Sequence, residues 1–170
     1  MSLDELAAKQ AITETLFRYC RSLDRMDVPL YATVFAPGAA LNYGDYFSGT
    51  AEEFRDWVWA AHEGMQAHSH QITNVLVELD PAGDAAVSEA YVTVCLRTRP
   101  AGGVVTDIVD RGRYLDRWAR GKDGAWRIAR RAYRSDVQQI SDAGSSPPPG
   151  AIRDPSDPSY ELFGAPATPR

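Results

Sequence analysis

The sequence predicts an α+β fold, with helices first and a curved, mostly antiparallel sheet after them. Three observations lead there. Apolar residues recur at helical spacing through about residue 24 and again after residue 50. From residue 68 the apolar period changes to two and holds to about residue 137. Stretches rich in Gly, Pro and Asp ("DPAGD", "RPAGG" and "GKDGA") divide that second half into strands. Helices followed by an antiparallel meander pack as an α+β layer structure, and the long strands are expected to curve around the helices.

The first helix is predicted over about residues 3–24. Ser2 and Glu5 form an S-x-x-E capping box that satisfies amide donors at its start. Ile12, Leu16, Tyr19, Cys20 and Leu23 fall on one stripe. Asp24 lies one turn beyond Cys20, near the helix end, where the dipole is negative and a carboxylate is poorly placed. A short helix follows over "PLYATVF", with Pro29 in its first turn. "AALNYGDYFSG" reads as a brief strand and a turn. Thr50 and Glu53 form a second capping box, opening a helix whose Phe54, Trp57, Val58 and Ala61 share a face. Strands are expected at about 68–79, 86–99, 104–119 and 125–137. One domain is expected over 1–140, followed by a tail over 141–170. That tail holds seven of the eleven prolines, including "SSPPPG", and has no core of its own. Tyr160, Leu162 and Phe163 are its candidates for docking on its own or a neighbouring subunit.

The composition is that of an ordinary globular chain: 44% hydrophobic and 24% charged over 170 residues. A net charge of −5 without a long basic run argues against nucleic acid and against a membrane surface. The arginines of 111–134 are interleaved with acids, as in "DRGRYLDRW". Cys20 and Cys95 are far apart and form no C-x-x-C motif, so both read as small core residues. "MSLDELAAKQAITETLF" carries no apolar run of signal or spanning length, and a cytoplasmic location is the default expectation.

All three histidines, His62, His68 and His70, fall within nine positions. In the 68–79 strand, His68, His70, Ile72, Asn74 and Leu76 alternate with Thr73, Val75, Val77 and Leu79. The second set is plain packing. The first mixes apolar groups with imidazole and amide, which need partners when buried or cost about 1–3 kcal/mol each. From periodicity alone three readings stay open: a satisfied histidine at a strand start, a metal site, or acid/base chemistry. No H-E-x-x-H or comparable spacing supports metal, and none is expected. A histidine base needs a carboxylate on its far nitrogen, and Asp24 is the candidate. Trp57, Trp118 and Trp126 read first as core. Arg130 and Arg131 point to opposite faces of one strand, and an inward arginine requires an anion or a carboxylate. Glu89, Tyr91 and Thr93 share a face that reads as surface.

The segments "AITETLFRYCRSLDRMD", "VFAPGAALNYGD", "HQITNVLVELD" and "GRYLDRWARGKDGAWRIARRAYRSD", over about residues 3–140, together resemble the SnoaL-like branch of the NTF2-like superfamily. The resemblance is nearest its lyase members: bile acid 7α-dehydratase, hexachlorocyclohexane dehydrochlorinase and scytalone dehydratase. It implies a cone-shaped barrel, with the sheet wrapped around the helices and a deep apolar pocket. It implies that Asp24 and His70, the latter opening "HQITN", form a His–Asp dyad. Tyr19, five residues before Asp24, matches the dehydratase pattern, and Arg131 falls on the family's pocket arginine. Tyr43, Asn74 and Trp57 are the further candidates for substrate contact, while His62 and His68 are read as bystanders. The dehydratase's additional acid has no counterpart at Tyr91 to Thr93. The implied activity is a cofactor-independent, dehydratase-like carbon–oxygen lyase on a small hydrophobic cyclic substrate, from a homodimer or homotrimer. The alternatives are an isomerase or polyketide cyclase using the same pocket, and a non-catalytic small-molecule binder or accessory subunit.

Overall fold

The computed structural model describes residues 1–98, 104–143 and 152–163. The predicted turn "RPAGG" and the run "SSPPPG" fall on residues outside that set. The element order is α1 (Leu3–Asp24), α2 (Val28–Ala32), β1 (Phe35–Asn42), β2 (Ser48–Thr50), α3 (Ala51–Glu63), β3 (Met65–Leu79), β4 (Ala85–Thr98), β5 (Thr106–Arg120), β6 (Trp126–Asp142) and α4 (Ser159–Phe163). The six strands form one open sheet in the order β2-β1-β6-β5-β4-β3. All pairings are antiparallel except β1 with β6, so the meander of four long strands gains a parallel edge from the chain before α3. β6 runs to Asp142, five residues past the predicted end and into the segment read as tail.

Both capping boxes form, at Ser2–Glu5 and Thr50–Glu53. Helix α1 stops at Asp24 in a Schellman arrangement: the Asp27 amide donates to the Ser22 carbonyl at 2.8 Å and the Met26 amide to Leu23 at 3.1 Å. Met26 takes φ 52° where glycine is usual. This stop aims the last helical side chain, Asp24, at the start of β3.

The core lies between α1, α3 and the sheet. Ile12, Leu16, Leu23, Val34, Leu41 and Ile128 are buried there with an aromatic cluster. Tyr19, Tyr31, Phe35, Tyr43, Phe54, Tyr114 and Tyr133 pack with ring centroids 4.4–6.4 Å apart. These rings pack between α1, α3 and the sheet, on the inner side where the resemblance implies an apolar pocket. Trp118 and Trp126 are buried as expected.

Two register features alter the predicted faces. Asn74 adopts φ 49° and the β3–β4 register shifts between Thr73 and Leu76, a bulge. Before it, His68, His70 and Ile72 face the helices. After it, Val75, Val77 and Leu79 do, and Leu76 is exposed. An extra residue in a strand exchanges its two faces, so one alternating set could not hold along the whole strand. In α3 the buried stripe is Phe54, Val58 and His62, spaced by four, while Trp57 and Ala61 point to solvent.

Candidate active site

Asp24 projects from the last turn of α1 onto the first half of β3. Its Oδ1 lies 2.7 Å from His70 Nδ1, and its Oδ2 accepts the His70 backbone N–H at 3.0 Å. These bonds replace the solvation a carboxylate loses at a half-buried, negative helix end. Burial raises the Asp24 carboxyl, but the hydrogen bonds from His68 and His70 outweigh it and hold the group below its ordinary value. An ionised Asp24 fixes the proton of His70 on Nδ1 and leaves Nε2 with its lone pair. Both side chains border a cleft of about 270 Å³ lined also by Phe17, Cys20, Arg21, Arg25 and Ile72. Burial and the nearby Asp24 push the Cys20 thiol up to about 12, so it is no nucleophile at neutral pH.

His68, read as a bystander in the sequence, also faces Asp24. Its side chain is fully buried and its Nδ1 stands 3.5 Å from the same Asp24 oxygen, a long contact. The His62 ring lies 4.4 Å from it, centroid to centroid. Burial, reinforced by the His68 and His70 imidazoles, pushes His62 down to about 3, and its Nδ1 has no partner. Asp24, His68 and His70 each bring one ligand atom within 4.8 Å of the others, close enough to share a cation. Arg153 Nη1, 3.2 Å from the far nitrogen of His68, sets a positive charge against that use.

Three other predicted site residues form a separate buried group. Arg131 is 0% exposed and meets Asp116 through two hydrogen bonds, Nε–Oδ1 at 2.8 Å and Nη2–Oδ2 at 2.7 Å. Its guanidinium carbon lies 3.9 Å from the Tyr114 ring centroid and 4.3 Å from that of Tyr19. Tyr19 and Tyr43 share a hydrogen bond at 2.8 Å between their hydroxyls. None of the three borders the cleft beside His70. Arg131 therefore has a carboxylate partner already, while its buried Nη1 has no hydrogen-bond partner. Burial raises the Tyr19 and Tyr43 hydroxyls, which stay neutral. Trp57 packs on Phe47 and Phe54, with 42% of its surface exposed and no place in the cleft. Asn74 is exposed at the bulge, where its left-handed backbone accounts for the residue type.

Sequence reasoning missed Asp116, Arg153 and the cleft arginines Arg21 and Arg25. Asp116 had a readable signal: in "YLDRW" it alternates with Tyr114 and Trp118 and so shares their buried face. Arg21 and Arg25 flank Asp24 on the helix that carries it. Arg153, in the proline-rich tail, had no local signal.

Residues 4–132 match the family described as SnoaL-like domain. The chain belongs to the SnoaL-like family. Among solved structures, this SnoaL-like chain is similar to a putative scytalone dehydratase from Novosphingobium aromaticivorans, at 22% identity and TM-score 0.70 over 88% of this chain and 98% of that one. It is similar to a type 2 hexachlorocyclohexane dehydrochlorinase, at 17% identity and TM-score 0.72 over 87% and 98%. An NTF2-like superfamily protein from Salmonella enterica aligns at 20% identity and TM-score 0.67 over 78% and 94%. The fold is thus NTF2-like, as the sequence resemblance implied. No curated protein is significantly similar to the chain in sequence. Among the described residues, no helix is long and apolar enough to cross a membrane.

Proposed function

We propose that the protein is a cofactor-independent lyase of the dehydratase type, acting on a small cyclic substrate. The observation that carries this reading is the 2.7 Å contact between Asp24 Oδ1 and His70 Nδ1 at the edge of an open cleft. His70 Nε2 removes a carbon-bound proton made acidic by a neighbouring carbonyl. Asp24 holds the tautomer and stabilises the imidazolium that forms. The electron pair left on carbon becomes an enolate and expels the β-hydroxyl, which leaves as water with the proton that the His70 imidazolium returns, restoring neutral His70. Arg21, on the cleft wall and without a carboxylate partner among the described residues, takes the part of stabilising negative charge on the substrate oxygen that the sequence resemblance gave to Arg131. Phe17 and Ile72 supply the apolar wall for a ring. Similarity in fold to a putative scytalone dehydratase and a dehydrochlorinase is consistent with this chemistry without specifying it.

The test is turnover of a panel of alicyclic β-hydroxy ketones, followed by product mass, with wild type and His70→Gln. The expected result is loss of water by wild type and a fall of about 10²–10⁴-fold in the variant, the usual range for a positioned base. A product of unchanged mass replaces elimination with isomerisation or cyclisation. Bound ligand that takes up no deuterium at its acidic carbon leaves a non-catalytic binder.

A further inference from the structure

Residues 152–163 lie back over the end of α1 and the start of β3. Tyr160 donates its hydroxyl to the buried Asp27 at 3.0 Å. The Arg21 guanidinium packs over the Tyr160 and Phe163 rings at 4.9 and 5.2 Å and donates to Ser159 Oγ at 3.0 Å. Arg25 faces Asp157 at 3.3 Å. The segment is therefore held at several points on its own chain, although Leu162 and Phe163 remain exposed.

At its near end, Arg153 reaches the histidines. Its Nη1 donates to the His62 carbonyl at 2.7 Å and approaches His68 Nε2 at 3.2 Å. A guanidinium only donates, so the nitrogen it meets must present a lone pair. That places the proton of His68 on Nδ1, the nitrogen facing Asp24 Oδ1. Nη1 carries two hydrogens, and these two acceptors use both. The charged and titratable groups facing His68 are Asp24 from α1, His62 from α3, His70 on its own strand and Arg153 from the tail. Arg153 opposes a second positive charge on His68.

Building on the dyad reading above, we infer that Arg153 is a positioning residue of the active site. It locks His68 as a neutral Nδ1–H donor, so that Asp24 Oδ1 is held by His68 and His70 together. The C-terminal segment is then part of the catalytic apparatus. Without Arg153, His68 is free to carry its proton on Nε2. Its Nδ1 lone pair would then face the Asp24 carboxylate and turn the side chain away from His70.

The primary test needs no substrate. Long-range proton–nitrogen correlation spectra of the ¹⁵N-histidine-labelled full chain report which nitrogen of each imidazole is protonated. His68 is expected as the Nδ1–H tautomer in wild type. In Arg153→Ala it should become a tautomer mixture, and in Arg153→Lys, whose ammonium keeps a cationic donor, it should return toward wild type. With an active substrate, Arg153→Ala should also lower kcat by about tenfold or more, the scale for losing a partner that orients a functional imidazole, and shift the pH profile. His68 found as Nε2–H in wild type, or unchanged in Arg153→Ala, overturns the inference. A normal tautomer response with no turnover on any substrate leaves the inference standing and removes the lyase reading instead.

Discussion

Asp116→Asn isolates the buried charge pair. The substitution keeps the shape of the side chain and removes its charge, while Arg131, with no exposed surface, keeps its own. Burial drives the Asp116 carboxyl up, and only the guanidinium opposes that, so each charge depends on the other. Arg131 Nη1 already lacks a partner, leaving no spare hydrogen bond to soften the loss. Removing one partner of such a pair costs about 3–5 kcal/mol, a large share of the roughly 5–15 kcal/mol that holds a domain together. With a urea slope of about 2 kcal/mol per M, the unfolding midpoint should fall by about 2 M. Urea titration followed by tryptophan fluorescence reads it. The double variant Asp116→Leu, Arg131→Met removes both charges and should recover most of the loss. A loss below about 1 kcal/mol in Asp116→Asn would refute the reasoning, because an unpaired guanidinium in this aromatic shell cannot be so cheap. A substrate-binding Arg131 would show instead as a raised KM with stability intact.

Two further outcomes follow from the same structure. Stability should fall as the pH drops below the ordinary histidine value near 6.5, since the unfolded chain takes up a proton that folded His62 refuses until about pH 3. That amounts to about 3 kcal/mol by pH 4, His68 adds a loss of the same sign, and Asp24 contributes only below about pH 4. Urea midpoints across pH 7 to 4 check it, and His62→Phe should flatten the slope. A wild-type profile flat over that range would mean His62 is not held neutral. Gly112→Ala should destabilise by about 1–3 kcal/mol, because its Cβ would stand 2.2 Å from the Arg134 carbonyl oxygen and 2.8 Å from the Tyr133 ring across the β5–β6 pair. A thermal midpoint equal to wild type would show that the hairpin yields freely there.

What the sequence made legible was local. The capping boxes at Ser2 and Thr50 set both long helices because each signal lies within four residues of its effect. The order of helices and strands followed from apolar period in the same way. The bulge at Asn74 was not legible, since a strand pattern is compatible with either face on both sides of one extra residue. The alternation therefore read as two faces for the whole strand, where the core-facing set passes from His68, His70 and Ile72 to Val75, Val77 and Leu79. Asp24 was a candidate partner from the residues alone, but only the resemblance paired it with His70, because 46 residues separate the two. Arg153 is further still from His68, at 85 residues, and sits in a segment whose composition predicts no core. Tyr19, Tyr43 and Arg131 were placed in the site by resemblance, and in the fold they lie apart from the cleft beside His70. Sequence gives each aromatic residue a volume but not the position where those volumes meet.

Asp116 in the sheet and Asp24 at the end of α1 differ in their partners, and that difference separates structure from chemistry. Asp116 meets a guanidinium, which never gives up its proton in a protein, so that pair has one state and can only hold the fold. Asp24 meets imidazoles, whose charge changes nearest to neutral pH. A carboxylate at a helix C-terminus gains most when its partner becomes a cation, since the helix end and the carboxyl are then both answered. His70 gaining a proton at Nε2 creates that cation at the cleft, 2.7 Å from the anion awaiting it. Asp24 is thus better satisfied after proton transfer than before it, and the lyase proposal rests on that asymmetry.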